Sequence, residues 1–106
     1  MKPLFPHIKP KESEITKEIR RYLDIKGIYH WKNWQGPMSG VNGVSDIIGI
    51  VPGGKFLAIE VKTERGKLTP KQDKFISDIN YQGGLAFVAR SVEDVMRELG
   101  EKGWTL

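Results

Sequence analysis

Three charged residues stand where apolar segments leave little room for charge. Asp46 lies within the run Val44 to Val51 (VSDIIGIV), and Glu60 and Lys62 lie within Lys55 to Lys62 (KFLAIEVK). A carboxylate withdrawn from water must be paired or hold a cation, because its isolated burial is costly. If the second run is a strand, its side chains alternate. Glu60 and Lys62 then share one face, and Leu57, Ile59 and Val61 take the other. Pro52-Gly53-Gly54 reads as a tight turn. It folds the two runs into an antiparallel hairpin and brings Asp46 near Glu60. Two adjacent carboxylates are a poor arrangement unless a cation sits between them, and hard oxygen donors with open water positions suit Mg²⁺ or Mn²⁺. Such an ion lowers the pKa of a bound water and stabilises charge on a phosphate oxygen. A lysine beside it orients or deprotonates that water, or neutralises the transition state. These are the parts needed to hydrolyse a phosphodiester.

Each residue also has a plain reading. Asp46 would be a turn-adjacent side chain or the partner of a lysine, and Glu60 and Lys62 a solvated pair on an open sheet face. The three together, spaced D-x₁₃-E-x-K with apolar flanks, favour the site. Glu12 is a fourth candidate. It falls on the same side of a 100° helical wheel as Ile15 and Ile19, whereas Glu14 and Glu18 fall off that stripe. Its plain reading is an acidic residue complementing a helix dipole.

The elements that must position these residues follow from periodicity. Residues 1–11, with three prolines, read as an extended arm, and 12–106 as one domain. Residues 12–26 carry Ile15, Ile19, Tyr22, Leu23 and Lys26 on one side, and Gly27 stops that helix. Residues 28–34 (IYHWKNW) suit a strand. A glycine-rich loop, 35–43, leads to the strand 44–51, apolar on both faces. Strand 55–62 is followed by a short polar loop. Thr69 as N-cap and Pro70 at the first position open a helix to about Tyr81, with Phe75, Ile76 and Ile79 facing in. Gly83-Gly84 ends it. Residues 85–89 (LAFVA) form a buried strand, and Ser91 caps a last helix with Val92, Val95, Met96 and Leu99 as its stripe, ended by Gly100. The order α-β-β-β-α-β-α predicts an α/β fold, a mixed sheet of about four strands flanked by helices.

Composition narrows the function. The chain has 106 residues, one domain's worth, and no cysteine, which excludes disulfides, thiolate metal sites and a cysteine nucleophile. No apolar run approaches a membrane span and no signal peptide is apparent, so a cytoplasmic location is expected. A net charge of +4, from 17 Lys and Arg against 13 Asp and Glu, suits a polyanionic partner.

The segments Gly43-Val44-Ser45-Asp46-Ile47-Ile48-Gly49, Ala58-Ile59-Glu60-Val61-Lys62-Thr63 and Gly66-Lys67-Leu68-Thr69-Pro70-Lys71-Gln72 resemble the VRR-NUC family, the virus-type replication-repair nucleases of the PD-(D/E)xK superfamily. The resemblance runs from about Glu12 to Leu99 and implies a restriction-endonuclease-like core. It implies that Asp46, Glu60 and the backbone carbonyl of Val61 bind the metal and that Lys62 is the catalytic lysine. It places the first-helix glutamate at Glu12 and matches Gln72 to a family glutamine near the active site; that residue's plain reading is an exposed helix position. Ser45 stands where the superfamily motif has proline.

Arg65, Lys67, Lys71 and Lys74 follow the catalytic strand and are candidates for sequence-independent phosphate contacts, with Lys2, Lys9 and Lys11 on the arm as additions. Trp31 and Trp34 suit stacking on distorted DNA or, as the better expectation, packing. Stand-alone family members resemble archaeal-type Holliday junction resolvases in core and size. The resemblance therefore implies a homodimeric, Mg²⁺- or Mn²⁺-dependent, structure-selective DNA endonuclease acting on four-way junctions or flaps, with no small-molecule cofactor, in a bacterial or phage-infected cell. The alternatives are a non-catalytic nucleic-acid-binding module of the same fold and a nicking or restriction-type duplex nuclease.

Overall fold

A computed structural model describes residues 9–34 and 40–101. Most of the proline-rich arm, with Lys2, and residues 35–39 of the glycine-rich loop lie outside the described residues. Seven elements follow in the expected order: α1 (Glu12–Ile25), β1 (Tyr29–Lys32), β2 (Ile47–Val51), β3 (Lys55–Val61), α2 (Pro70–Tyr81), β4 (Leu85–Ala89) and α3 (Val92–Glu101). The four strands form one sheet in the order β1-β2-β3-β4. The first two pairings are antiparallel, and β3 and β4 run parallel with α2 as the crossover between them. A parallel pair needs such a crossover, which places a helix on the sheet face.

Alternation sorts the apolar side chains into two layers. Ile47, Leu57, Ile59, Leu85 and Phe87 meet Ile15, Ile19 and Leu23 of α1 and Val95 and Leu99 of α3. On the other face Ile48, Ala58 and Ala86, one register row, meet Ile76 of α2, with Leu68, Phe75 and Ile79 packed around them. The stripe on α1 ends at Leu23; Lys26, expected on it, is the exposed C-cap. Met96, expected in the α3 stripe, is 48% exposed, because Val92, Val95 and Leu99 already fill the contact.

The strands are shorter than the apolar runs. β1 occupies 29–32 and not 28–34. β2 starts at Ile47, so Ser45 and Asp46 precede the ladder and do not lie within it. α2 packs on β3 and β4. The β1–β2 half of that face stays open, leaving Tyr29, Trp31, Ile50 and Phe56 exposed. Trp34 is exposed as well, so neither tryptophan is a core residue, although Trp31 meets Tyr29 edge-to-face at 5.7 Å between ring centroids.

The loop entering β2 depends on Gly43. Its φ is +73°, and a Cβ there would lie 2.3 Å from the carbonyl oxygen of Lys71 in the first turn of α2. Gly53 has φ +99° at the β2–β3 turn but nothing within 4 Å of a Cβ. Gly43→Ala will therefore lower unfolding free energy by about 2–4 kcal/mol, combining the left-handed penalty with overpacking. Gly53→Ala will cost about 1–2 kcal/mol, the conformational part alone. Urea unfolding of the two variants checks the difference.

Candidate active site

The hairpin brings Asp46 and Glu60 together. Ile47 pairs with Ile59, so one further step of the same register sets Asp46 opposite Glu60. Asp46 is held from two sides. Its carbonyl accepts from the Asn33 N–H at 2.7 Å, and its Oδ2 accepts from the Val61 N–H at 2.8 Å. The side chain thus takes over a backbone donor at the end of β3, where β2 no longer supplies a ladder partner.

Glu60 lies on the α2 face of β3 and is 2% exposed. Its Oε2 accepts from Nε2 of Gln72 at 3.2 Å and lies 3.8 Å from Nζ of Lys62. Its Oε1 is buried with no hydrogen-bond partner among the described residues. Gln72 serves two ends at once. It is the N3 residue of a capping box in which its Oε1 accepts from the Thr69 N–H and its own N–H donates to the Thr69 hydroxyl. The start of α2 is thereby fixed and its amide is aimed at Glu60.

The Glu60 carboxyl is pushed up from the ordinary 4.5 to about 8, with burial as the largest cause. Within that rise Asp46 contributes next, by its charge and by a side-chain hydrogen-bonding interaction; Lys62 opposes it, and Glu12 adds a smaller upward push. Without a cation the pair thus keeps one proton at neutral pH. The influence of Glu12 shows that the first turn of α1 reaches toward this corner, although Glu12 itself is exposed. Glu14 is exposed off the stripe, as its spacing implies. Among the described residues, no three His, Cys, Asp or Glu side chains are grouped closely enough to hold an ion by themselves. The carboxylates drawn together are Asp46 and Glu60, without Glu12 as a third member.

Lys62 follows directly on β3, its backbone N–H donating to the Ala89 carbonyl. Gly66 packs against its stem: a Cβ at Gly66 would lie 3.3 Å from the Lys62 Cδ. A residue that sequence reasoning passes over, Arg90, closes this loop. Its Nη1 donates to the carbonyls of Thr63 at 2.6 Å, Gly66 at 2.7 Å and Glu64 at 3.3 Å. A signal for it exists in the charged residue that ends the buried run Leu85 to Ala89. Glu64 also meets Lys9, the part of the arm that is described. Arg65, Lys67 and Lys71 are exposed around the site. Lys74 is exposed too, but its ammonium is paired with Asp78 at 2.7 Å, one helical turn on. Ser45 is fully buried directly before Asp46, and its Oγ has no partner among the described residues.

The donor set fits a divalent cation. Asp46 and Glu60 offer hard oxygens, and the orphaned Oε1 of Glu60 is an acceptor left without a donor.

Comparison with known proteins gives a family and a fold. The family model described as the VRR-NUC domain matches residues 6–93. A solved structure described as a VRR_NUC domain superposes with a TM-score of 0.70 at 26% identity, covering 85% of this chain and 94% of that one. No match is found among curated proteins.

In metal-free protein the raised Glu60 makes stability depend on pH. Between 4.5 and about 8 the folded chain holds a proton that the unfolded chain has released, so stability falls as pH rises through that window. Thermal melts in EDTA will show a Tm that declines from pH 5 toward pH 8. Glu60→Gln, which cannot ionise, will flatten the decline.

Proposed function

This chain belongs to the VRR-NUC family, which implies a nuclease-type function on DNA, and on that premise we propose that it is a divalent-metal-dependent, structure-selective DNA endonuclease. The observation that carries the reading is the meeting of Asp46 and Glu60 at the open end of a hairpin, with Lys62 3.8 Å from Glu60. Asp46, Glu60 and the Val61 backbone carbonyl would hold Mg²⁺ or Mn²⁺. When bound, the ion supplies a water of lowered pKa and neutralises charge on the scissile phosphate.

The protein's own groups do the rest. Lys62, its side chain 12% exposed, presents an ammonium to the phosphate oxygen as charge builds there. Gln72 fixes the rotamer of Glu60, and the Val61 N–H fixes Asp46. Glu12 stands at the margin, positioned to orient the incoming water. Arg65, Lys67 and Lys71 flank the site as phosphate contacts, with Lys74 joining them when it leaves Asp78.

Four-way junctions and flaps are the proposed substrates. A junction needs two symmetric cuts, which a homodimer supplies. The open apolar half of the sheet, with Tyr29, Trp31, Ile50 and Phe56, gives a second copy a surface to cover.

Purified protein in Mg²⁺ or Mn²⁺ will cut a labelled four-way junction or flap faster than plain duplex, and Lys62→Ala will slow cleavage about 10²–10³-fold. Equal cutting of all three substrates would remove the structure selectivity. Junction binding with neither cleavage nor thermal stabilisation by Mn²⁺ would instead identify a binding module.

A further inference from the structure

A second cationic surface is carried by α1 and β1, elements other than those that bear Arg65, Lys67 and Lys71. The outer side of α1 and the edge strand β1 enclose a groove of about 400 Å³ lined by Lys17, Arg20, Arg21 and Lys32, with Ser13 and a single carboxylate, Asp24. Asp24 is exposed and lies 3.8 Å from Nδ1 of His30, beside the groove. Four cations against one acid on so small a surface is a strong local excess in a chain whose net charge is +4. Arg20 sharpens the point. Its Nε is buried and has no hydrogen-bond partner among the described residues, and an unmet buried donor calls for an acceptor.

The groove lies on the α1 face of the sheet, and each of its walls has one end adjacent in the chain to a residue of the candidate active site, whose Glu60 lies on the α2 face. On α1, Ser13 follows Glu12, whose charge reaches Glu60. On β1, Lys32 pairs with Ile47 and precedes Asn33, whose N–H donates to the Asp46 carbonyl. A chain of phosphates leaving the Asp46–Glu60 corner by this route would meet cations along α1. Spaced Lys and Arg side chains with a hydroxyl match the requirements of a phosphodiester backbone, which is read by charge and not by base.

We propose that the α1–β1 groove binds the nucleic-acid backbone on one side of the cut. The inference rests on the nuclease reading above.

The test measures binding of a labelled four-way junction in EDTA, where nothing is cut, as a function of salt. Lys17→Gln with Lys32→Gln is compared with Lys26→Gln and Lys55→Gln, a pair of equal charge at the end of α1 and at the hairpin turn. The groove pair should lower the slope of log K against log salt by about 2, near 0.9 for each phosphate no longer neutralised, while the control pair keeps the wild-type slope. An equal fall in the two pairs would mean that net charge alone attracts DNA, and an unchanged slope in the groove pair would mean that DNA does not enter; either overturns the assignment. Metal-dependent cleavage by the wild type is read separately, so failure of the groove and failure of the nuclease reading are distinguishable.

Discussion

Everything in this molecule is arranged around the mutual repulsion of two carboxylates. Asp46 and Glu60 meet where β2 begins and β3 ends, in a corner that excludes water from Glu60. Like charges at short range in a poorly solvated place cannot both persist without compensation. A proton or a cation must supply it, and the upward push on Glu60 to about 8 is the proton's answer. A lysine partly answers as well, but at 3.8 Å and from one side. The fold keeps two acids together despite this cost, and structures commonly carry such local conflict at functional sites.

The scaffold holds that conflict with backbone groups, which cannot move away. The Val61 N–H grips Asp46, and the Asn33 N–H grips the carbonyl behind it. Gln72 aims at Glu60 only because the capping box sets the first turn of α2. That turn in turn leaves no space for a Cβ on the loop entering β2, which is why Gly43 is glycine. Beyond Lys62, three carbonyls converge on Arg90, whose own N–H is tied to Asp94 at the start of α3. Each wall of the corner is anchored to a different element, so the positions of the two acids are set by the whole sheet and not by one loop.

The strands and the chemistry are legible in the sequence for the same reason: charge inside an apolar run contradicts burial. Asp46, Glu60 and Lys62 stand out on that contradiction, and the alternation of KFLAIEVK assigns Glu60 to the face it occupies. Thr69-Pro70-Lys71-Gln72 declares both a helix start and the residue that reaches Glu60. What stays hidden depends on partners distant in the chain. Arg90 acts on carbonyls 24 to 27 positions earlier, and no local pattern encodes that. The exposure of Trp31 and Trp34 follows from α2 lying over β3 and β4, a tertiary fact that aromatic content cannot reveal. The ladder ends differ from expectation for a related reason. Val44-Ser45-Asp46 continues into an apolar run, yet the ladder with β3 starts at Ile47, and beyond it the Asp46 side chain takes the Val61 N–H.

The charge map explains why a cation and a nucleic acid would bind together. The corner formed by Asp46 and Glu60, with Glu12 nearby, is acidic and by itself repels a phosphate. Exposed cations follow it in the chain, Arg65 and Lys67 on the loop after Lys62 and Lys71 in the first turn of α2, and Lys17, Arg20 and Lys32 line the α1–β1 groove. At physiological salt fields fade over about 8 Å, so the outer cations govern encounter and the inner acids govern contact. On the proposed function, a polyanion drawn to the flanks would meet an acidic barrier that a divalent ion would lower. Metal and substrate would thereby favour each other's binding, since each would neutralise the charge that opposes the other, and such linkage is reciprocal by necessity.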